Sequence, residues 1–280
     1  MLIVLLMGCF GAAFFAMVMF LIYQDSQSKK KPSAPAPGPG PSPVTDTTGD
    51  TGTPTGNGGG LGGDTGGQTG SFGKMPSWAQ KGSTSPAAEQ SYAENKQTIT
   101  QFNNSGKQID FLLYGDSITR GLAYDKRVWN KYFGGWAAAP MGVGGNVIEQ
   151  LGWRIMSGNE RPAKPPKCIA LLIGVNNSPV NFQQAAGRLE ELLRWLQRAY
   201  PSTKLILMAL LPATRGHNNP KTANPILRQV ANRLNITFAE CGQSMNPMDT
   251  RLYKDQLHPT SGGYEVVLPC LKKAVESLVK

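Results

Sequence analysis

The chain has 280 residues, with 28 Lys and Arg against 18 Asp and Glu, for a formal charge of +10. Cys9 lies in the apolar N-terminus, which leaves Cys168, Cys241 and Cys270 able to make at most one bridge and so no disulfide framework; two histidines exclude a His-rich metal site, and no Cys-x-x-Cys or His-Glu-x-x-His spacing occurs. All of the basic excess falls after residue 89 and is scattered rather than clustered, so it describes a solvated basic surface, and no nucleic-acid partner is expected.

Residues 1–23 carry no charged side chain and are dense in Leu, Ile, Val, Phe and Met, enough to span a bilayer as a helix. The long apolar core without a basic leader favours a retained anchor at residues 2–22 over a cleaved signal peptide. The expected placement is therefore single-pass in a membrane. Lys29, Lys30 and Lys31 follow the span and bias its far side toward the cytoplasm, yet long domains translocate regardless of flanking charge. The side stays open, with an extracytoplasmic or secreted domain favoured. Residues 24–89 alternate Pro, Gly, Ser and Thr, lack the apolar side chains that would offset ordering entropy, and read as a disordered linker. Residues 90–280 then form the globular domain.

Within that domain short apolar runs alternate with longer helical patterns. The runs predict strands at 109–115, 137–142, 168–174, 204–211 and 236–241. Helical spacing predicts helices at 128–133, 147–156, 182–200, 224–234 and 262–279. Ala185, Leu189, Leu192, Leu193 and Leu196 recur at helical spacing and read as a core stripe. Strand–helix alternation of this regularity predicts a parallel sheet covered on both faces.

Chemistry converges on the strand ends. The first run stops at Gly115-Asp116-Ser117, which places a candidate nucleophile at the tip of a strand, where open α/β sheets put their sites. One of the two histidines, His258, lies three residues after Asp255, a spacing that sets carboxylate and imidazole on one side of a short turn. The second run leads into Gly142-Val-Gly-Gly-Asn146, whose glycines let a backbone N–H face a cleft. The third leads into Gly174-Val-Asn-Asn177, whose amides suit an oxyanion. His217 has no carboxylate at short spacing and reads as a surface loop residue. Trp195 belongs to a helix face and reads as a packing residue.

These four blocks, in this order, resemble the SGNH (GDSL-type) hydrolase family. The stretches 128–133, 142–147, 152–155 and 258–264 are similar to its platelet-activating-factor acetylhydrolase catalytic-subunit branch and to related carbohydrate acetylesterases. The resemblance implies a three-layer α/β/α sandwich with a five-stranded parallel sheet in flavodoxin-like order. It implies Ser117 as nucleophile, His258 as base and then acid, and Asp255 as its orienting partner. The oxyanion donors would be the N–H of Ser117, the N–H of Gly145 and the side-chain amide of Asn176. No metal and no cofactor is implied. The expected substrate is a short-chain ester, acetyl foremost, on a carbohydrate or small lipid. A lysophospholipase or lipase-like activity, an acetyltransferase and a non-catalytic glycan- or lipid-binding module remain alternatives. Asn146 and Asn177 stand where the branch often carries Asp.

Overall fold

The computed structural model describes residues 75–157 and 160–279. Among them no helix is long and apolar enough to cross a membrane, which overturns the expected single-pass membrane placement. The two longest described helices show why. The first, α1 (Pro86–Ser105), carries Glu89, Glu94 and Lys96, and the last, α7 (Ser261–Val279), carries Glu265, Lys272, Lys273 and Glu276. The span expected at residues 2–22, and the linker from residue 24 to 74, lie outside the described residues.

Residues 86–89, read as the end of the linker, form the first turn of α1, because Ser85 accepts the Ala88 N–H and a proline occupies the first helical position. Next come β1 (Phe111–Gly115), α2 (Ser117–Tyr124), α3 (Lys126–Phe133), β2 (Ala138–Gly142) and α4 (Ile148–Met156). They are followed by β3 (Cys168–Leu172), α5 (Phe182–Ala199), β4 (Lys204–Met208), α6 (Pro220–Leu234) and β5 (Thr237–Ala239). All strand pairs are parallel and the order is β2-β1-β3-β4-β5, the flavodoxin-like arrangement the family resemblance implies. Helices α4, α5 and α6 pack side by side, as do α2, α3 and α7, so the sheet is the middle of three layers.

Every residue of β1 and β3 is buried, as befits parallel strands covered on both faces. The α5 stripe enters the core as expected, with Leu189, Leu192, Leu193 and Leu196 fully buried. Trp129 and Trp195 are also core residues, Trp129 stacking on Phe133 at 4.6 Å. The ladders are shorter than the apolar runs: Ile173, Val175, Leu210 and Leu211 stay buried after their strands have left the sheet. Cys241 and Cys270 form a disulfide, joining the end of β5 to α7, and Cys168 is a buried free thiol.

Candidate active site

The order of the sheet places β2 and β3 on opposite flanks of β1, so a crevice opens beyond the tip of β1. Two glycines let α2 rise directly from that tip. A Cβ on Gly115 would stand 2.1 Å from Thr119 Oγ1 and 2.4 Å from the Leu172 carbonyl, and one on Gly142 would stand 2.0 Å from Arg120 N. Asp116 caps the helix, its Oδ1 accepting the Ile118 N–H at 2.9 Å. Ser117 is consequently the first helical residue, half-buried, with an amide N–H that has no acceptor within its own helix. From α7 the Tyr264 hydroxyl donates to the Ile118 carbonyl at 2.7 Å and holds this turn down. Burial pushes the Asp116 carboxyl up to about 7, although the Ile118 N–H and the nearby charges of His258 and Arg154 pull the other way.

The 255–258 turn brings Asp255 and His258, the candidate orienting acid and base. Asp255 Oδ1 accepts the N–H groups of Leu257 and His258 at 3.3 and 2.9 Å, which fixes the carboxylate against its own backbone. His258 Nδ1 lies 2.9 Å from Asp255 Oδ2 and 3.1 Å from Oδ1, and its Nε2 lies 2.9 Å from Ser117 Oγ. With the proton on Nδ1, the ring donates to Asp255 and accepts from the serine hydroxyl. Burial pushes the Asp255 carboxyl up, but the His258 N–H, the imidazole and the Leu257 N–H outweigh it and hold the group below the usual carboxylate range. The side chains of Asp255 and His258 are each 35% exposed, so water reaches the imidazole.

On the opposite flank, Gly145 has φ +72° in an exposed turn closed by the Asn146 N–H on the Val143 carbonyl. Asn176, half-buried after β3, donates one amide N–H to the Asn146 carbonyl at 3.0 Å and has a second to give. The structure thus brings Ser117, His258 and Asp255 into one chain of hydrogen bonds, and Asn176 onto the Gly145 loop. Among the described residues no hydrogen bond joins Gly145 or Asn176 to Ser117 itself. Asn177 does a structural job: Oδ1 accepts the Ile148 N–H at the start of α4, and Nδ2 donates to Glu149. His217 is exposed, as the sequence suggests.

Arg154, a residue that no motif marks, joins the tips of β1 and β2. It is completely buried and paired with buried Glu160 through Nε at 2.9 Å and Nη2 at 2.7 Å. Its remaining N–H groups reach the carbonyls of Gly115 and Met141 and, at 3.2 Å, Asn146 Oδ1. It thereby ties the tips of β1 and β2 to the Gly145 loop. The available signal was its position between Leu151 and Ile155, on the apolar stripe of α4. Asn146, where the branch often has Asp, meets Arg154 with its oxygen and leaves a buried Nδ2 without a partner. The loops after β4 and β5, with α6, border a cavity of about 890 Å³ lined by polar residues such as Thr214, Asn224 and Gln243 and by apolar ones such as Pro212, Pro220 and Met245.

A parallel sheet with a serine, an imidazole and a carboxylate hydrogen-bonded in series beyond the tip of β1 is the architecture of a hydrolase. The chain belongs to the GDSL-like Lipase/Acylhydrolase family, which its residues 113–266 match, and it is a hydrolase acting on ester bonds. It is 25% identical over 218 residues to the human platelet-activating factor acetylhydrolase IB subunit alpha2, covering 71% of this chain and 94% of that protein. The chicken counterpart is 26% identical over 183 residues, covering 62% of this chain and 79% of its own. A solved structure from Streptococcus pneumonia shares the fold with a TM-score of 0.54 at 19% identity, covering 68% of this chain and 92% of that one.

Proposed function

We propose that this chain is a serine esterase that removes a short acyl group, acetyl above all, from a polar alcohol, with Ser117 carrying the acyl group in transit. The observation that carries the reading is the hydrogen-bonded series Ser117 Oγ, His258 Nε2, His258 Nδ1, Asp255. As Ser117 Oγ attacks the ester carbonyl carbon, its proton passes to His258 Nε2, and Asp255 stabilises the imidazolium that results. The carbonyl electrons move onto oxygen, where the N–H groups of Ser117 and Gly145 and the Asn176 amide receive the charge. Collapse breaks the ester C–O bond, and His258 returns the proton to the departing alcohol. Water then attacks acyl-Ser117 with His258 as base again, releasing the acid and the free serine.

Acetyl is supported by the curated relatives, which are named as acetylhydrolases. The polar alcohol, a carbohydrate or a small lipid headgroup, follows from the resemblance to the acetylhydrolase and carbohydrate acetylesterase branch. Ser117→Ala in the full chain is expected to abolish turnover of 4-nitrophenyl acetate, and retained activity would remove Ser117 from its role. A panel of acetyl, butyryl and octanoyl esters with acetylated glycans is expected to peak at acetyl. An optimum at octanoyl or beyond would favour a lipase-like activity, and acetyl transfer to added sugar in excess of hydrolysis would favour a transferase.

A further inference from the structure

The acid–base turn is strained and held from outside. Gln256, between Asp255 and His258, has φ +68°, in the left-handed region that a residue with a side chain keeps only where its surroundings fix it. The loop after β4 supplies that fixing. The Thr214 N–H donates to the Gln256 carbonyl at 3.2 Å, and the Thr214 hydroxyl donates to Gln256 Oε1 at 2.7 Å. Next along, Arg215 Nη1 lies 3.4 Å from Asp255 Oδ2 and 3.5 Å from the Asp255 carbonyl.

The same loop is fastened on its other side to the segment that carries Asn176. The N–H groups of His217 and Asn218 donate to the Val175 carbonyl at 3.0 and 3.1 Å. Buried Asn218 gives its side-chain N–H groups to the carbonyls of Gly174 and Asn177, at 2.9 and 2.8 Å. Between these anchors Gly216 turns the chain at φ +103°, so close that a Cβ would stand 2.9 Å from Val175 Cγ2. Residues 214–218 therefore run from the Asn176 segment to the 255–258 turn, hydrogen-bonded at both ends.

We propose that the 214–218 loop is a brace that sets the distance between the acid–base turn and the oxyanion segment, with Thr214 and Arg215 as positioning residues for His258. The idea rests on the serine-esterase reading above. Its physical basis is that the base must meet Ser117 Oγ while the oxyanion donors meet the carbonyl oxygen. These two groups stand on different loops, and their relative placement decides whether one substrate satisfies both. Thr214 and Arg215 are exposed, so replacing them removes the side-chain part of the grip on the turn without opening the core, while the Thr214 N–H keeps its bond to the Gln256 carbonyl.

The test uses the full chain with Thr214→Val, Thr214→Ser, Arg215→Gln and Arg215→Lys. Thr214→Val and Arg215→Gln are expected to lower kcat for 4-nitrophenyl acetate by about tenfold to a hundredfold, leave KM within about twofold and leave Tm unchanged. The Ser and Lys variants are expected to recover most of the rate. The low-field NMR resonance of the His258 Nδ1 proton, identified by its loss in His258→Gln, is expected to shift or broaden in the two slow variants. Wild-type kcat and an unmoved resonance in both would overturn the brace, as would a Thr214→Ser variant as slow as Thr214→Val. Should the wild-type chain hydrolyse no ester at all, the serine-esterase reading falls, while the resonance still decides whether the brace holds His258.

Discussion

Asp116 caps the helix that Ser117 begins, yet it is only 1% exposed, and its carboxyl is pushed from 3.8 up to about 7 by that burial. Between those two values the folded chain holds a proton that the unfolded chain has released. Stability therefore falls as pH rises through this window, and the loss is complete above about 7. Asp255 has the opposite sign: its lowered carboxyl contributes stability above the unfolded value that is lost as the pH falls toward strong acid. Asp116→Asn, which keeps an oxygen for the Ile118 N–H, is expected to flatten the decline of Tm between pH 4 and pH 7. An unchanged decline in the variant would assign it to another group. Ser117, Asp255 and His258 were legible in the sequence because proton transfer restricts the residue types and a short turn restricts their spacing. Arg154 and Thr214 were not, because an arginine or a threonine outside a motif reads as surface, and only the fold reveals what each one touches.

At the scale of elements, the tips of β1 and β2 are clamped together by the Arg154 guanidinium. Arg154→Met leaves the Glu160 carboxylate buried without its partner, a change that typically costs about 3–5 kcal/mol. Urea unfolding is expected to show a loss of that size, with part of it recovered in an Arg154→Met/Glu160→Leu double variant; a single variant as stable as wild type would show that the clamp contributes nothing. The five strands and five of the helices were legible because long apolar runs and stripes advertise burial. Helix α1 was not, since it buries Ser91 and Asn95 along with Tyr92 and Ile99, so its buried face lacks an apolar stripe. Nor was α2, whose eight residues are too few to establish a period and whose start coincides with the candidate nucleophile. Strand ends were overestimated where buried residues continue past the last ladder partner, because burial and pairing leave the same mark on a sequence.

For the whole molecule, the disulfide between Cys241 and Cys270 closes a loop with a sequence separation of 29, and both Asp255 and His258 lie inside it. Ser117, Gly145 and Asn176 lie outside. The sequence left this pairing open, because three thiols allow one bridge in several ways. Closing a loop of this length stabilises a folded chain by about 3–4 kcal/mol in the chain-entropy description. The Cys241→Ser/Cys270→Ser double variant is expected to lose roughly that much in urea unfolding, and an unaltered midpoint would show that the bridge constrains little. Ser117 meets His258 across 141 residues of chain, and a ribosome delivers the serine well before the base. A half-made chain thus carries Ser117 without His258. On the proposed mechanism, hydrolysis waits until the segment carrying Asp255 and His258 seats against Ser117, so a chain still being synthesised is its own inactive precursor.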